Sequence, residues 1–121
     1  MKTALVIEDD GNNMELITFI LGENGYQCLK AETGQEGIDM ALEKVPDFII
    51  LDIQLPDMSG LEVLKIIRAS EVDGSIPVIA MTSFAMSGDR EKILSAGCNG
   101  YIEKPIDPIK VMAQIREVLK A

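Results

Sequence analysis

Residues 48–60 read Phe48-Ile49-Ile50-Leu51-Asp52-Ile53-Gln54-Leu55-Pro56-Asp57-Met58-Ser59-Gly60. Four consecutive apolar residues run into an acid, and a turn containing Pro and Gly follows. An apolar run without polar alternation marks a strand covered on both faces, as strands inside a parallel sheet are. Two more runs have the same character, Ala4-Leu5-Val6-Ile7 and Val78-Ile79-Ala80-Met81. Gln27-Cys28-Leu29-Lys30-Ala31 alternates polar and apolar and reads as an edge strand. Tyr101-Ile102 is a short fifth candidate.

Helical periods fill the gaps between these runs. Asn12 with Glu15, Thr33 with Glu36, and Ser59 with Glu62 have the spacing of a capping box, and each pair opens an apolar-periodic stretch. Ile38, Ala41 and Leu42 form one core stripe, and Leu61, Leu64 and Ile67 form another. A fourth helix is expected from about Ser87 to Ala96, with Gly97 as its stop. A fifth is expected to start at Asp107-Pro108, with Pro at the first helical position and Met112, Ile115 and Leu119 as its stripe. There is no repeat and no low-complexity segment. The pattern is (βα)5, an α/β chain whose right-handed crossovers make a doubly wound, five-stranded parallel sheet. The three most apolar strands belong at its centre, which gives the order 2-1-3-4-5 of flavodoxin-like folds. Such sheets carry their sites beyond the carboxyl ends of the strands, at the point where the connections switch direction. Residues 1–121 are expected to form one domain, a size sufficient for one hydrophobic core.

Composition narrows the chemistry. Hydrophobic residues make up 47% of the chain, too many for a disordered segment. No apolar run is long enough to cross a bilayer, and no basic region followed by an apolar stretch opens the chain, so a cytoplasmic location is the expectation. Eleven basic residues against 20 acidic ones give a net charge of -9, which argues against direct nucleic-acid binding. Cys28 and Cys98 form no metal-ligand pattern and read as buried or half-buried free thiols. The chain has 0 histidines. That excludes Ser-His-Asp and Cys-His catalysis, imidazole-bound zinc or iron, and a phosphohistidine on this chain. Carboxylates, hydroxyls, lysine and backbone must carry any chemistry.

The strand ends supply that set. The first strand ends at Glu8-Asp9-Asp10, the third at Asp52, the fourth at Thr82-Ser83 and the fifth at Lys104-Pro105. Singly, each has a plain explanation: Asp10 reads as a helix cap, Thr82 as a turn residue, Lys104 as a solvated charge. Phe84, Met58, Met81 and Met86 read as packing residues. Jointly, the acids, the hydroxyl and the ammonium meet at one sheet edge. Crowded carboxylates are costly to ionise unless a cation intervenes. Hard oxygen donors without imidazole or thiolate favour Mg2+, with Mn2+ or Ca2+ as substitutes. Asp9 and Asp52 supply side-chain oxygens, Glu8 can act through a water, and a backbone carbonyl near Gln54 can add another.

These residues resemble a known family. Val6-Ile7-Glu8-Asp9-Asp10, Ile50 to Gly60, Thr82-Ser83 and Tyr101-Ile102-Glu103-Lys104-Pro105 resemble, in order and spacing, the motifs of two-component response-regulator receiver domains. The wording is most similar to stand-alone receivers of the cell-cycle and sporulation type, or to those attached to hybrid kinases. The resemblance implies that Asp52 is the phosphoacceptor, that Glu8 and Asp9 bind Mg2+ with Asp9 as the direct ligand, and that the Gln54 backbone carbonyl completes the metal set. It implies that Thr82 is the switch hydroxyl, that Tyr101 changes rotamer on activation, that Lys104 pairs with the acceptor carboxylate, and that the Lys104-Pro105 peptide is cis. A one-residue slip would instead make Asp9 and Asp10 the metal pair. Phe84, two residues after Thr82, stands where water access is controlled.

The resemblance further implies a phosphoryl donor carrying a phosphohistidine, either a sensor histidine kinase or a histidine phosphotransfer protein. The chain would catalyse only its own phosphorylation and dephosphorylation, and would signal to an unidentified protein through its fourth helix, fifth strand and fifth helix. A monomer or weak dimer is expected. No output domain follows the fifth helix, so the signal is expected to pass by contact, unless the chain is a piece of a larger regulator. The main alternative is a receiver-like interaction domain that works without phosphate. A flavin-binding module would need a hydroxyl- and glycine-rich phosphate loop where Glu8-Asp9-Asp10 stand. A haloacid-type phosphatase would need a second Asp where Gln54 stands.

Overall fold

The apolar runs become strands because the side chains on both faces of each have a helix to pack against. The computed structural model describes residues 2–70, 76–83 and 87–120, with backbone only for 87–89. Its strands are β1 (Lys2–Ile7), β2 (Tyr26–Ala31), β3 (Phe48–Asp52), β4 (Val78–Thr82) and β5 (Gly100–Glu103). Its helices are α1 (Gly11–Glu23), α2 (Gly34–Lys44), α3 (Gly60–Ser70), α4 (Ser87–Ser95) and α5 (Val111–Leu119). All strand pairings are parallel and the order is β2-β1-β3-β4-β5, as the sequence leads one to expect.

Alternate residues of each central strand serve opposite cores. Val6, Ile50 and Met81 point to the side of α1 and α5, where they pack with Ile17, Leu21 and Ile115. Ile7, Leu51 and Ala80 point to the side of α2 and α3, where they pack with Ile38, Val63 and Leu64. All five residues of β3 are buried, and so are all five of β4. Full burial of a Leu or Ile side chain is worth about 1.5–3 kcal/mol, so these two strands anchor the fold. The half-exposed β2 forms one edge.

Helix starts differ in detail from their spacing. Asp10, not Asn12, is the N-cap of α1: its carboxylate accepts from the Asn12 and Asn13 amides at 2.8 and 3.4 Å. The acid wins because it stands one residue before the first helical residue, where its side chain can reach the free N–H groups. Thr33 caps α2 by accepting from the Glu36 amide at 3.1 Å, and Ser59 accepts from the Leu61 amide at 3.1 Å. Asp107 accepts from the Ile109 amide at 2.9 Å and caps a turn over residues 108–110 that runs on into α5. The expected start at Pro108 therefore holds as a turn, and the regular helix begins at Val111. Gly97, with φ of +111°, closes α4 as expected.

Ile38 and Ala41 face the core, but Leu42 is 47% exposed, since it lies one position beyond the stripe on the helix circumference. Leu61 and Leu119 are half-buried at the margins of their cores. Cys28 is half-buried and Cys98 buried, both free. Met81 is buried and Met58 packs against the core on the α2–α3 side, whereas Phe84 and Met86 lie outside the described residues. At the amino end of the sheet, Arg68 donates to the carbonyls of Ile76 (2.7 Å) and Gly97 (3.0 Å) and to Asn99 Oδ1 (2.9 Å). This guanidinium ties α3 to the starts of β4 and β5.

Gly60 marks where α3 leaves the end of β3. A Cβ there would strike the Asp52 carbonyl oxygen and lie 2.7 Å from Ile53 Cα. Both are backbone atoms that cannot step aside. Gly60→Ala should therefore lower stability by about 1–3 kcal/mol. Gly22→Ala, in α1 with nothing within 4 Å, should raise it by about 0.4–1 kcal/mol. Urea midpoints of the two variants against the parent check both signs.

Candidate functional site

The parallel register decides what meets at the carboxyl edge. Ile7 pairs with Leu51, Asp52 with Met81, and Thr82 with Glu103, so β1, β3, β4 and β5 end at one rim. Glu8 and Asp9 follow β1, Asp52 ends β3, Thr82 ends β4, and Lys104 follows β5. Glu8, Asp9 and Asp52 each offer one carboxylate oxygen, and the three lie within 4.8 Å of one another. Lys104 Nζ sits 2.9 Å from Glu8 Oε1 and 3.1 Å from Asp52 Oδ2. Asp10 is absent from the cluster because its carboxylate is turned to the α1 amides.

Burial separates the acids. Glu8 is 1% exposed and Asp52 3%, whereas Asp9 is open to solvent. Asp52 Oδ1 accepts from the Gln54 amide at 3.0 Å, which aims the carboxylate along the rim. Glu8 Oε2 accepts from the Asp10 amide at 3.3 Å. Glu8 Oε1 is buried and has the Lys104 ammonium as its charged donor. Burial pushes the Glu8 carboxyl up to about 7, with Asp52 adding to the rise and Lys104 opposing it. Burial alone would lower Lys104, but its bonds to Glu8 and Asp52 prevail and hold the ammonium charged.

Such a set suits a hard cation. All donors are oxygens, two of the acids are buried beside a single ammonium, and the third stays accessible on the solvent side. Two or three protein oxygens are enough for Mg2+, which keeps several waters. Asp9 and Asp52 would hold it, with Glu8 and the Gln54 carbonyl at hand.

The remaining residues named from the sequence lie close by. Thr82 is buried, and its carbonyl accepts from the Lys104 amide at 2.8 Å. A cavity of about 380 Å3 opens beside it, lined in part by Gln54, Ser59, Lys92 and Ile93. Tyr101 is half-buried on β5, and the Arg90 guanidinium of α4 lies 4.9 Å over its ring. The Lys104-Pro105 peptide is cis, as the resemblance implies. Arg90 was not foreseen, because no local spacing links a helix arginine to a tyrosine on the next strand. Asp57 was not foreseen either. It reaches the start of α2 across 23 residues of sequence.

Comparison with known proteins agrees with this geometry. Residues 4–116 match the family model of the response regulator receiver domain. The polar-differentiation response regulator DivK of Brucella ovis is 42% identical over 118 residues, spanning 98% of this chain and 96% of its own length. The same protein of Brucella anthropi matches at the same identity. Among solved structures, the receiver domain of a Pseudomonas aeruginosa sensor histidine kinase superposes with a TM-score of 0.89 at 30% identity. The superposition covers 99% of this chain and 98% of that one, and that structure has a magnesium ion coordinated in its active-site cleft. The chemotaxis response regulator CheY4 of Vibrio cholerae shares the fold at a TM-score of 0.92 and 24% identity, covering 98% of both chains.

Glu8 makes stability depend on pH near neutrality. Its folded pKa of about 7 lies above the ordinary 4.5, so the folded state holds a proton that the unfolded chain releases. That contribution is complete below about pH 4.5 and is lost as pH rises through about 7. With 0 histidines, no imidazole masks the effect. Thermal melts in chelator should therefore show the midpoint falling across this window. Glu8→Gln should flatten the fall, and millimolar Mg2+ should raise the midpoint most at the alkaline end. An unchanged slope in Glu8→Gln would contradict the assignment.

Proposed function

This chain belongs to the response regulator receiver domain family, and from that premise we propose that Asp52 accepts a phosphoryl group from a phosphohistidine on a partner protein. The observation that carries the reading is Lys104 Nζ set between buried Glu8 and Asp52, with Asp9 completing the acidic cluster on its open side. The donor is a sensor histidine kinase or a histidine phosphotransfer protein, since this chain has 0 histidines of its own. We take residues 1–121 as one receiver unit, monomeric or weakly dimeric, and the reaction as self-modification without turnover of a separate substrate.

The chain's own groups perform three tasks. Asp52 attacks through a carboxylate oxygen, with Oδ1 held by the Gln54 amide and Oδ2 by the Lys104 ammonium. A P–O bond forms as the donor's P–N bond breaks, and the leaving imidazole keeps the electron pair and takes a proton from solvent. Lys104 offsets the repulsion between the incoming phosphoryl oxygens and the carboxylates, and it stands ready at 3.1 Å from Asp52 Oδ2. Asp9, Asp52 and the Gln54 carbonyl would hold a divalent cation, with Glu8 acting through water. A bound Mg2+ would supply positive charge against the charge of the transferred group, and Mn2+ or Ca2+ would substitute. The acyl phosphate so formed is labile, and the same site hydrolyses it.

Switching follows from the added charge, roughly -1.5 to -2 by analogy with other phosphoresidues. Thr82 turns its hydroxyl to the phosphoryl oxygens, with the adjoining cavity giving β4 room to adjust. Tyr101 moves inward and leaves Arg90, so the surface of α4, β5 and α5 changes its affinity for a protein target. Ser83 to Met86 would follow Thr82, although 84–86 lie outside the described residues, and with them Phe84. No helix among the described residues is long and apolar enough to cross a membrane, and a cytoplasmic location remains part of this proposal.

Incubation with acetyl phosphate and Mg2+, read by intact mass, tests the reading. The parent should gain one phosphoryl group and Asp52→Asn none. Lys104→Ala should still bind Mg2+ but label roughly 100-fold more slowly, the usual scale for removing one such electrostatic group. Labelling of Asp52→Asn would place the acceptor elsewhere. A parent that takes no phosphate yet still binds partners would be the phosphate-independent interaction domain.

A further inference from the structure

The turn from β3 to α3 carries Gln54, whose carbonyl the proposed metal set requires, and something must hold that turn against the acids of β1. Its base is closed by two contacts. The Gly60 amide donates to the Ile53 carbonyl at 2.8 Å, and Gln54 and Ser59 form an isolated antiparallel bridge. Its tip is tied to a different element. Asp57 Oδ1 accepts from the Gly34 amide at 2.8 Å, and Oδ2 accepts from the Gln35 amide at 3.0 Å. Next to Asp57, the Met58 side chain lies so close to Gly34 that a Cβ on Gly34 would stand 2.5 Å from Met58 Cγ.

The far end of this tie is seated on the acidic strand. An α-helix begins with four N–H groups that lack helical partners. In α2 the three that follow the N-cap are engaged, Gly34 and Gln35 by Asp57 and Glu36 by the Thr33 hydroxyl, and the regular helical bonds begin with Gly37 donating to the Thr33 carbonyl at 3.1 Å. Gly37 in turn packs so tightly on Ile7 that a Cβ there would lie 2.8 Å from Ile7 Cγ1. Ile7 is the residue before Glu8. A continuous chain of contacts thus runs from Asp57 through the first turn of α2 to Ile7, and so to Glu8 and Asp9. It fixes how far the Gln54 turn stands from the acids.

We propose that Asp57 is a positioning residue for cation binding, setting the Gln54 carbonyl and Asp52 at the correct spacing from Glu8 and Asp9 by clamping the β3–α3 turn to the start of α2. This rests on the metal-dependent receiver reading above. The two amides also hold the Asp57 carboxyl below the usual carboxylate range, so the clamp stays ionised in mild acid. By reciprocity, a cation that needs this geometry strengthens the clamp as much as the clamp strengthens the cation site.

The test separates positioning from ordinary helix capping. Mg2+ affinity is measured by calorimetry, well below the unfolding temperature, for the parent, Asp57→Ala, Asp57→Asn and Thr33→Ala. Asp57→Ala should weaken Mg2+ binding roughly tenfold, the scale for residues that orient metal ligands without touching the ion. Asp57→Asn keeps one acceptor oxygen and should fall between. Thr33→Ala removes a cap from the same helix end but leaves the turn clamped, and it should keep the parent's affinity. Hydrogen exchange should show Mg2+ slowing the Gly34 and Gln35 amides in the parent and not in Asp57→Ala. If the Asp57 variants lose thermal stability but bind Mg2+ like the parent, or if Thr33→Ala weakens binding equally, the proposal is overturned and Asp57 is only a cap. A parent that binds no Mg2+ at millimolar concentration would overturn the metal-site reading itself, and the clamp with it.

Discussion

Two carboxylates and one ammonium, almost withdrawn from water at the rim of a parallel sheet, are the constraint on which the rest depends. A buried charge is tolerable only when paired. Lys104 pairs with both Glu8 and Asp52, so β1, β3 and β5 must all end at the same height. The pairing is incomplete in a useful way. One ammonium serves two buried acids, and a third acid lies within 4.8 Å. The rim therefore carries more negative charge than the chain neutralises, which is the condition for taking up a cation and then an anion bound to it.

Holding such a rim takes a stiff scaffold, and the scaffold is the two-sided core. Every residue of β3 and β4 is buried, so neither strand can slide by one residue without turning its side chains to the wrong face. Among the described residues, side chains pin the chain at the rim to backbone amides: Asp10 on α1, Thr33 and Asp57 on α2, Ser59 on α3 and Asp107 on the turn before α5. At the opposite edge, Arg68 gathers the carbonyls of Ile76 and Gly97 and the Asn99 amide oxygen.

Much of this was legible in particular residues. The unbroken apolar run Phe48–Leu51 announced a strand covered on both faces, and the acid following it announced the rim. The 0 histidines removed whole classes of catalysis, and the family motifs pointed to the residues that the fold gathers. Spacing misled at two places, although Asp10 itself reads as a helix cap in the sequence. Asn12 with Glu15 imitated a capping box while Asp10 held the cap, because which side chain turns back to the amides depends on where the chain leaves the strand. Leu42 matched a stripe but is 47% exposed, because a helix face is defined by what covers it and no element covers that position.

What the sequence determined by itself is therefore the alternation of strand and helix, the class of sheet, and the kinds of side chain available at the rim, since periodicity and residue chemistry are local properties. The tertiary structure alone decided which charges meet, which acid is buried and which stays wet, and which distant loop is tied to which helix. Asp57 on Gly34 and Gln35, Arg90 over Tyr101, and the sharing of Lys104 with Glu8 each join residues apart in sequence. Distances of that kind are set by strand register and helix packing, and no local pattern encodes them.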